Sequence, residues 1–190
     1  MKMAEVKILV NGYTNSDSKE AGEEEKSCAT ISLILDEGIK MVVDPGILES
    51  QQELITALKK EGLSIKDINF VGITHSHIDH YRNIGMFPEA KTVEFYGLWD
   101  KNVWKDWKED FSEDIKIIKT PGHSRTGISF IVSTNKGKVA VVGDVFWKEN
   151  SPEEDPYANN MEELRKSRKR VLKIADWIVP GHAGMYKVKK

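Results

Sequence analysis

Cys28 is the only cysteine among the 190 residues, so no intramolecular disulfide can stabilise the fold. Long apolar runs are missing as well. None approaches the roughly 18 residues needed to cross a membrane, and the opening stretch MKMAEVKILVNGYT has neither the apolar core nor the small-residue cleavage site of a secretory leader. A reducing, cytoplasmic setting without membrane contact is expected. There is no excess of either charge: 28 Lys and Arg against 30 Asp and Glu give a net charge of -2. That excludes a surface basic all over, so nucleic acid would have to be met by a local patch. No internal repeat and no low-complexity tract beyond Glu23-Glu24-Glu25 is present. What remains is a chain with 39% hydrophobic residues, enough for one core, and a single domain over residues 1–190 is expected.

Short apolar segments dominate. Val6 to Asn11, Ala29 to Leu35 and Ile39 to Asp44 read as strands, the last two joined through Glu37-Gly38 as a hairpin. Ile68 to Ile73, Val93 to Tyr96, Ile115 to Lys119, the runs from Ile128 and Val139, and DWIVP read likewise, with a short strand at Tyr186. Helical spacing marks Ser50 to Glu61, a short turn over Tyr81 to Met86, and Met161 to Ile174 with Leu164, Val171 and Leu172 on its apolar side. Strands interrupted by helices imply two sheets with helices on their outer faces.

The chemistry concentrates in five histidines, His75, His77, His80, His123 and His182, each at the end of a predicted strand. His75 and His77, two apart in an extended segment, leave on one face and can close on one ion. Asp79 and His80 follow as the chain turns into a helix and can serve a second position beside the first. Pro121-Gly122 and Pro180-Gly181 end strands immediately before His123 and His182. Asp144 ends the run VAVVGD, where Gly143 permits close backbone approach. A carboxylate there has two oxygens with which to bridge two cations about 3.5–4 Å apart.

These motifs resemble the metallo-β-lactamase superfamily. Its signatures occur in order, from VDPG at Asp44 through THSHIDH at 74–80, TPGHS at 120–124 and GD at 143–144 to PGH at 180–182. The resemblance implies an α/β fold, a four-layer αββα sandwich with two divalent metal ions at one edge. It also implies His75, His77 and His123 around one ion, Asp79, His80 and His182 around the other, Asp144 between them, and Asp44 in support. Two departures narrow the class. Members that open β-lactams most often carry Cys where this chain has Asp144, and diiron electron-transfer relatives carry Glu in place of His77. The stretches VKILVNGY, GDVF and SRKRVLKIADWIVPGHAGMYKV are similar to a branch of the superfamily associated with RNA endonuclease activity.

Two ions sharing a water lower its pKa from about 15.7 toward about 7. The expected activity is therefore hydrolysis of an ester, thioester, lactone or phosphodiester by a metal-bridging hydroxide, with Asp79 as the catalytic residue that orients the nucleophile or relays a proton. Zinc is the first choice for this imidazole and carboxylate set, and manganese or iron also suits it. The alternatives are RNA cleavage and, using part of the ligand set, a mononuclear iron oxidoreductase of the persulfide dioxygenase type. Only eight residues follow His182, so recognition of a small ester-type molecule or of RNA is expected from short loops. Trp99, Trp104 and Trp107 are read as core or subunit packing, which leaves a homodimer open, ahead of a wall against substrate. Trp147 and the loop from Glu149 to Asn160 are further recognition candidates. Arg165, Lys166, Arg168, Lys169 and Arg170 are read as a solvated helix face, with a phosphate-binding patch as the alternative.

Overall fold

The structure is a computed structural model that describes residues 3–189. Its strands are β1 (Glu5–Val10), β2 (Tyr13–Thr14), β3 (Ser27–Cys28), β4 (Ile31–Asp36), β5 (Ile39–Val43), β6 (Phe70–Gly72), β7 (Lys91–Val93), β8 (Leu98–Asp100), β9 (Val103–Lys105), β10 (Ile115–Lys119), β11 (Ile128–Thr134), β12 (Gly137–Gly143), β13 (Trp177–Pro180) and β14 (Tyr186–Lys187). The α-helices are α1 (Gln51–Lys60), α2 (Ile78–Tyr81) and α3 (Met161–Ile174), with 3-10 turns over Ile65–Asp67 and Arg82–Met86. One sheet runs β1-β4-β5-β6-β7-β8-β9, a second runs β10-β11-β12-β13-β14, and β2 and β3 form a small hairpin.

Alternation along the strands builds the layers. Ile34, Met41 and Val43 from the first sheet meet Phe130, Val132, Val139, Val141 and Val179 from the second in one buried cluster between the sheets. The intervening residues turn outward: Leu33, Val42 and Val71 pack under Leu54 and Leu58 of α1, while Ile131, Ala140, Val142 and Ile178 pack under Leu164 and Val171 of α3. Both faces of the central strands are thus covered, which is why they read as continuous apolar runs. The result is helix on sheet on sheet on helix, the four-layer sandwich. Among the described residues no helix is long and apolar enough to cross a membrane.

Two expectations are corrected, and one element is new. The strand read over Val93 to Tyr96 ends at Val93, because Glu94 and Gly97 bond to each other's backbone and close a turn. The Trp-rich stretch, for which the sequence predicted no element, forms the β8–β9 hairpin, with Trp99 opposite Trp104. On α3 the buried stripe is Leu164, Ser167 and Val171, whereas Leu172 is exposed. A four-residue step from Leu164 reaches Arg168, and a further four carry Leu172 past the edge of the contact with the sheet.

The sheets meet at one edge where chain after chain leaves a strand. Ala29 and Thr30 do not pair with β1; their amides bond to the carbonyls of Asp79 and Gly181. That ties the start of β4 to the segments carrying the histidines.

Candidate metal centre

His75, His77, Asp79 and His80 lie on the segment running from β6 into α2, His123 follows β10, Asp144 follows β12 and His182 follows β13. Two groups of possible ligand atoms result: His75, His77, His123 and Asp144 in one, and Asp79, His80 and His182 in the other, the atoms of each lying within 4.8 Å of one another. Asp144 also touches the second group. Its Oδ2 lies 3.3 Å from His123 Nε2 and 3.8 Å from His75 Nε2, while its Oδ1 lies 3.1 Å from His182 Nε2 and 3.2 Å from His80 Nε2. Oδ2 also lies 3.2 Å from His182 Nε2, so the carboxylate sits between the two groups.

The imidazoles are oriented from behind. His80 Nδ1 donates to Asp44 Oδ2 at 2.8 Å, and His123 Nδ1 donates to Asp155 Oδ2 at 2.7 Å. His182 Nδ1 donates to the Cys28 carbonyl at 3.0 Å. Thr74 Oγ1 donates to Asp44 Oδ2 at 2.6 Å, and the Thr74 hydroxyl oxygen in turn accepts from His75 Nδ1 at 3.2 Å. In all four rings Nε2 is the atom turned toward the cluster. His77 differs, since its Nδ1 is the atom that faces His123 Nε2, at 3.0 Å. Asp79 accepts from Ser27 Oγ at 2.7 Å.

His75 Nε2, His80 Nε2 and Asp144 Oδ1 are buried and have no aligned hydrogen-bond partner. Unpaired buried polar atoms are costly, and three converging on common points fit a donor set that closes on cations. Electrostatics divide the histidines into two kinds. Burial pushes His75 far below the usual imidazole range, and nearby His80 adds to the shift; burial and His123 lower His77. For His80, burial is outweighed by the Asp144 and Asp44 carboxylates, which hold it well above that range. Asp144 likewise outweighs burial to raise His182. Burial would raise Asp144, but the facing His182 and His80 hold it well below the carboxylate range.

Two features of the backbone keep these groups close. Asp44 sits at φ 50°, a left-handed conformation uncommon for a non-glycine residue, and there its carboxylate reaches the Thr74 amide at 2.8 Å as well as His80. At Gly181 a Cβ would stand 1.8 Å from Asp144 Oδ1, so only glycine lets the β13 turn pass so near the carboxylate.

A cavity of about 360 Å³ opens onto both groups. Its walls are Ile47, Ile78, Trp147 and Tyr157, with Thr14, Ser16, Glu25 and Ser27 toward the β2–β3 hairpin. Trp147 is 2% exposed and stacks on Tyr157 with ring centroids 5.9 Å apart, so it is both a packed residue and part of the wall. Trp99, Trp104 and Trp107 do not line this cavity. Trp99 and Trp104 are 41% and 46% exposed on the last two strands of the first sheet, and Trp107 donates to the Glu94 carbonyl.

Sequence reasoning missed Asp155, Ser27 and the cover supplied by Thr14, Ser16 and Glu25. Asp155 stands among Glu153 and Glu154 with no spacing that marks it, and the β2–β3 hairpin reaches the site only through the tertiary path of the chain. The five basic residues of α3 do not form one free patch. Arg168 donates to the carbonyls of Val145, Pro152 and Glu153, Arg170 donates to that of Lys119, Arg165 pairs with Glu154, and Lys166 pairs with Glu162.

Known proteins place this geometry. A family model described as the metallo-beta-lactamase superfamily matches residues 29–113. Metallo-beta-lactamase domain-containing protein 1 of Rattus norvegicus is 30% identical over 95% of this chain and 76% of its own length. A solved Thermotoga maritima structure of metallo-beta-lactamase type has a TM-score of 0.76 at 26% identity, covering 97% of this chain and 99% of that one. An N-acyl homoserine lactone hydrolase structure shares the fold with a TM-score of 0.69 at 19% identity, over 95% of this chain and 93% of that one. The chain belongs to the metallo-beta-lactamase superfamily and is a metal-dependent hydrolase.

Proposed function

We propose that the chain hydrolyses an uncharged carbonyl compound, an ester, thioester or lactone, with two divalent ions, zinc first, held by His75, His77 and His123 and by Asp79, His80 and His182, and with Asp144 bridging. The observation that carries this reading is the cavity: among the described residues that line it there is no lysine or arginine, and Glu25 is present. A phosphodiester backbone is met by cations. Apolar walls with a few polar groups suit a small neutral molecule. The lactone hydrolase that shares this fold works on such a substrate, as its name states.

When bound, two such ions supply Lewis-acid polarisation and bring the pKa of a shared water toward about 7. The protein's own residues do the rest. Ser27 fixes Asp79 at the cavity floor, where its carboxylate takes a proton from the nucleophile and returns it to the leaving group. Trp147, Ile47 and Ile78 exclude water from the substrate's apolar part. RNA cleavage is the second reading. It would draw on α3, where Lys169 is exposed but Arg165 and Lys166 pair with carboxylates and Arg168 and Arg170 with carbonyls.

A metal-reconstituted panel of thioester, lactone, phosphodiester and single-stranded RNA substrates separates the two. Turnover of carbonyl substrates, nearly indifferent to ionic strength and abolished in Asp144→Ala, is expected. Turnover confined to RNA and falling steeply with salt would replace this reading with the second.

A further inference from the structure

The loop between β12 and α3 touches both the candidate metal centre and the cavity, and one carboxylate makes the connection. Asp155, with a fully buried side chain, uses both oxygens: Oδ2 accepts from His123 Nδ1 at 2.7 Å, and Oδ1 accepts from the amide of Tyr157 at 2.9 Å. Tyr157 stacks on Trp147 and lines the cavity. The amides of Asn159 and Asn160 bond to the carbonyls of His123 and Gly122, so the loop is laced to the turn that carries His123. Behind it Arg168 holds the carbonyls of Pro152 and Glu153.

We infer that Asp155 is a positioning residue that fixes His123 as an Nε2 donor and couples ion binding at His75, His77 and His123 to the Tyr157 wall of the substrate cavity. By accepting the Nδ1 proton it dictates the tautomer and ring orientation of His123, and a carboxylate does so more strongly than a neutral acceptor. The other ion, at Asp79, His80 and His182, has its own support in Ser27, Asp44 and Cys28 and does not depend on Asp155. The inference rests on the two-ion reading above.

Zinc titration of the metal-free protein against a chromophoric chelator counts the ions and ranks their affinities. Two equivalents on the wild type test the two-ion reading by themselves. Asp155→Ala is expected to weaken one ion by about 10- to 100-fold and leave the other unchanged. Asp155→Asn, whose amide oxygen can still accept from His123, is expected to fall between, and it serves as the decisive variant if Asp155→Ala does not fold. Hydrogen exchange adds a readout that a merely structural role would not move: zinc should slow exchange over residues 149–160 in the wild type and lose that effect in Asp155→Ala. Unchanged zinc affinity in both variants, equal weakening of both ions, or zinc-independent protection of that segment would overturn the assignment.

Discussion

Gly181 and Gly85 make a controlled pair at the level of single residues. A methyl group on Gly181 would overlap Asp144 Oδ1, whereas a Cβ at Gly85 meets nothing within 4 Å. Gly181→Ala must therefore displace the carboxylate that faces both ligand groups or move the β13 turn, at a cost of about 1–3 kcal/mol by overpacking. The expected outcome is a chain that retains less than its full metal complement and loses most activity, with Gly85→Ala unchanged in both; metal analysis after dialysis together with denaturant unfolding checks it. Full metal retention in Gly181→Ala would mean that Asp144 is not held where the structure has it. The candidate ligands were legible at this scale because each is punctuated locally: two histidines in strand spacing, an Asp-His pair where the chain turns into a helix, two Pro-Gly turns before histidines, one Gly-Asp at a strand end. Asp155 was not legible. Its importance comes from where the loop returns to His123, 32 residues away in sequence, and nothing local distinguishes it from the two glutamates before it.

Between elements, α3 decides how the 145–160 segment is held. Arg165 pairs with the Glu154 side chain of that segment, whereas Arg168 holds its backbone, donating to three carbonyls and lying over the Phe146 ring at 5.7 Å. Removing it leaves those carbonyls without their charged donor, so Arg168→Ala is expected to destabilise the protein by about 2–3 kcal/mol and to speed exchange over residues 149–160. Lys169→Ala, an exposed change, should stay within about 0.5 kcal/mol. Equal effects from the two would return Arg168 to the solvated face on which composition alone placed it. The extent of α3 could be read from its periodicity, and its Asn160 cap accepts from the Glu163 amide. Which of its residues face inward could not be read so well, because Ser167 is buried by donating to the Pro121 carbonyl, a contact with a distant turn. The β8–β9 hairpin escaped notice for a similar reason. It is a short edge ribbon with exposed residues, where apolar alternation has no buried face to report on.

Across the whole molecule, the two ligand groups join the two sheets. His75, His77, Asp79 and His80 follow a strand of the first sheet, and His123, Asp144 and His182 follow strands of the second, so bound ions would clamp the sandwich along one edge. Strand order and the parallel β5–β6 and β12–β13 pairings could not be read from local pattern, since each joins segments far apart in the chain. Linkage sets the size of the clamp: an ion at 100 times its dissociation constant stabilises the folded chain by about 2.7 kcal/mol, and in a chain of this length each kcal/mol is about 2–4 °C of melting temperature. Chelation should then lower the melting temperature by about 10–20 °C if two ions are lost. The sign of the pH dependence follows from the histidines. His75 and His77, held low, are neutral and ready to bind near pH 7. His80, held well above the usual range by Asp144 and Asp44, and His182, raised by Asp144, keep their protons to higher pH than a free imidazole, and an ion must displace them. In the metal-free chain the charge pairing of His80 and His182 is fully present below the unfolded histidine pKa of about 6.5 and is lost as pH rises through their raised values. His75 and His77 oppose this, because their depressed values make the folded chain resist protonation as pH falls below about 6.5. In the loaded chain proton competition dominates, so the metal-derived increment should shrink steadily as pH falls from about 8 to about 5, with proton release detected as buffer-dependent binding heat. Melting curves with and without chelator across that range measure it, and an increment that stays constant would mean that His80 and His182 surrender no proton to an ion.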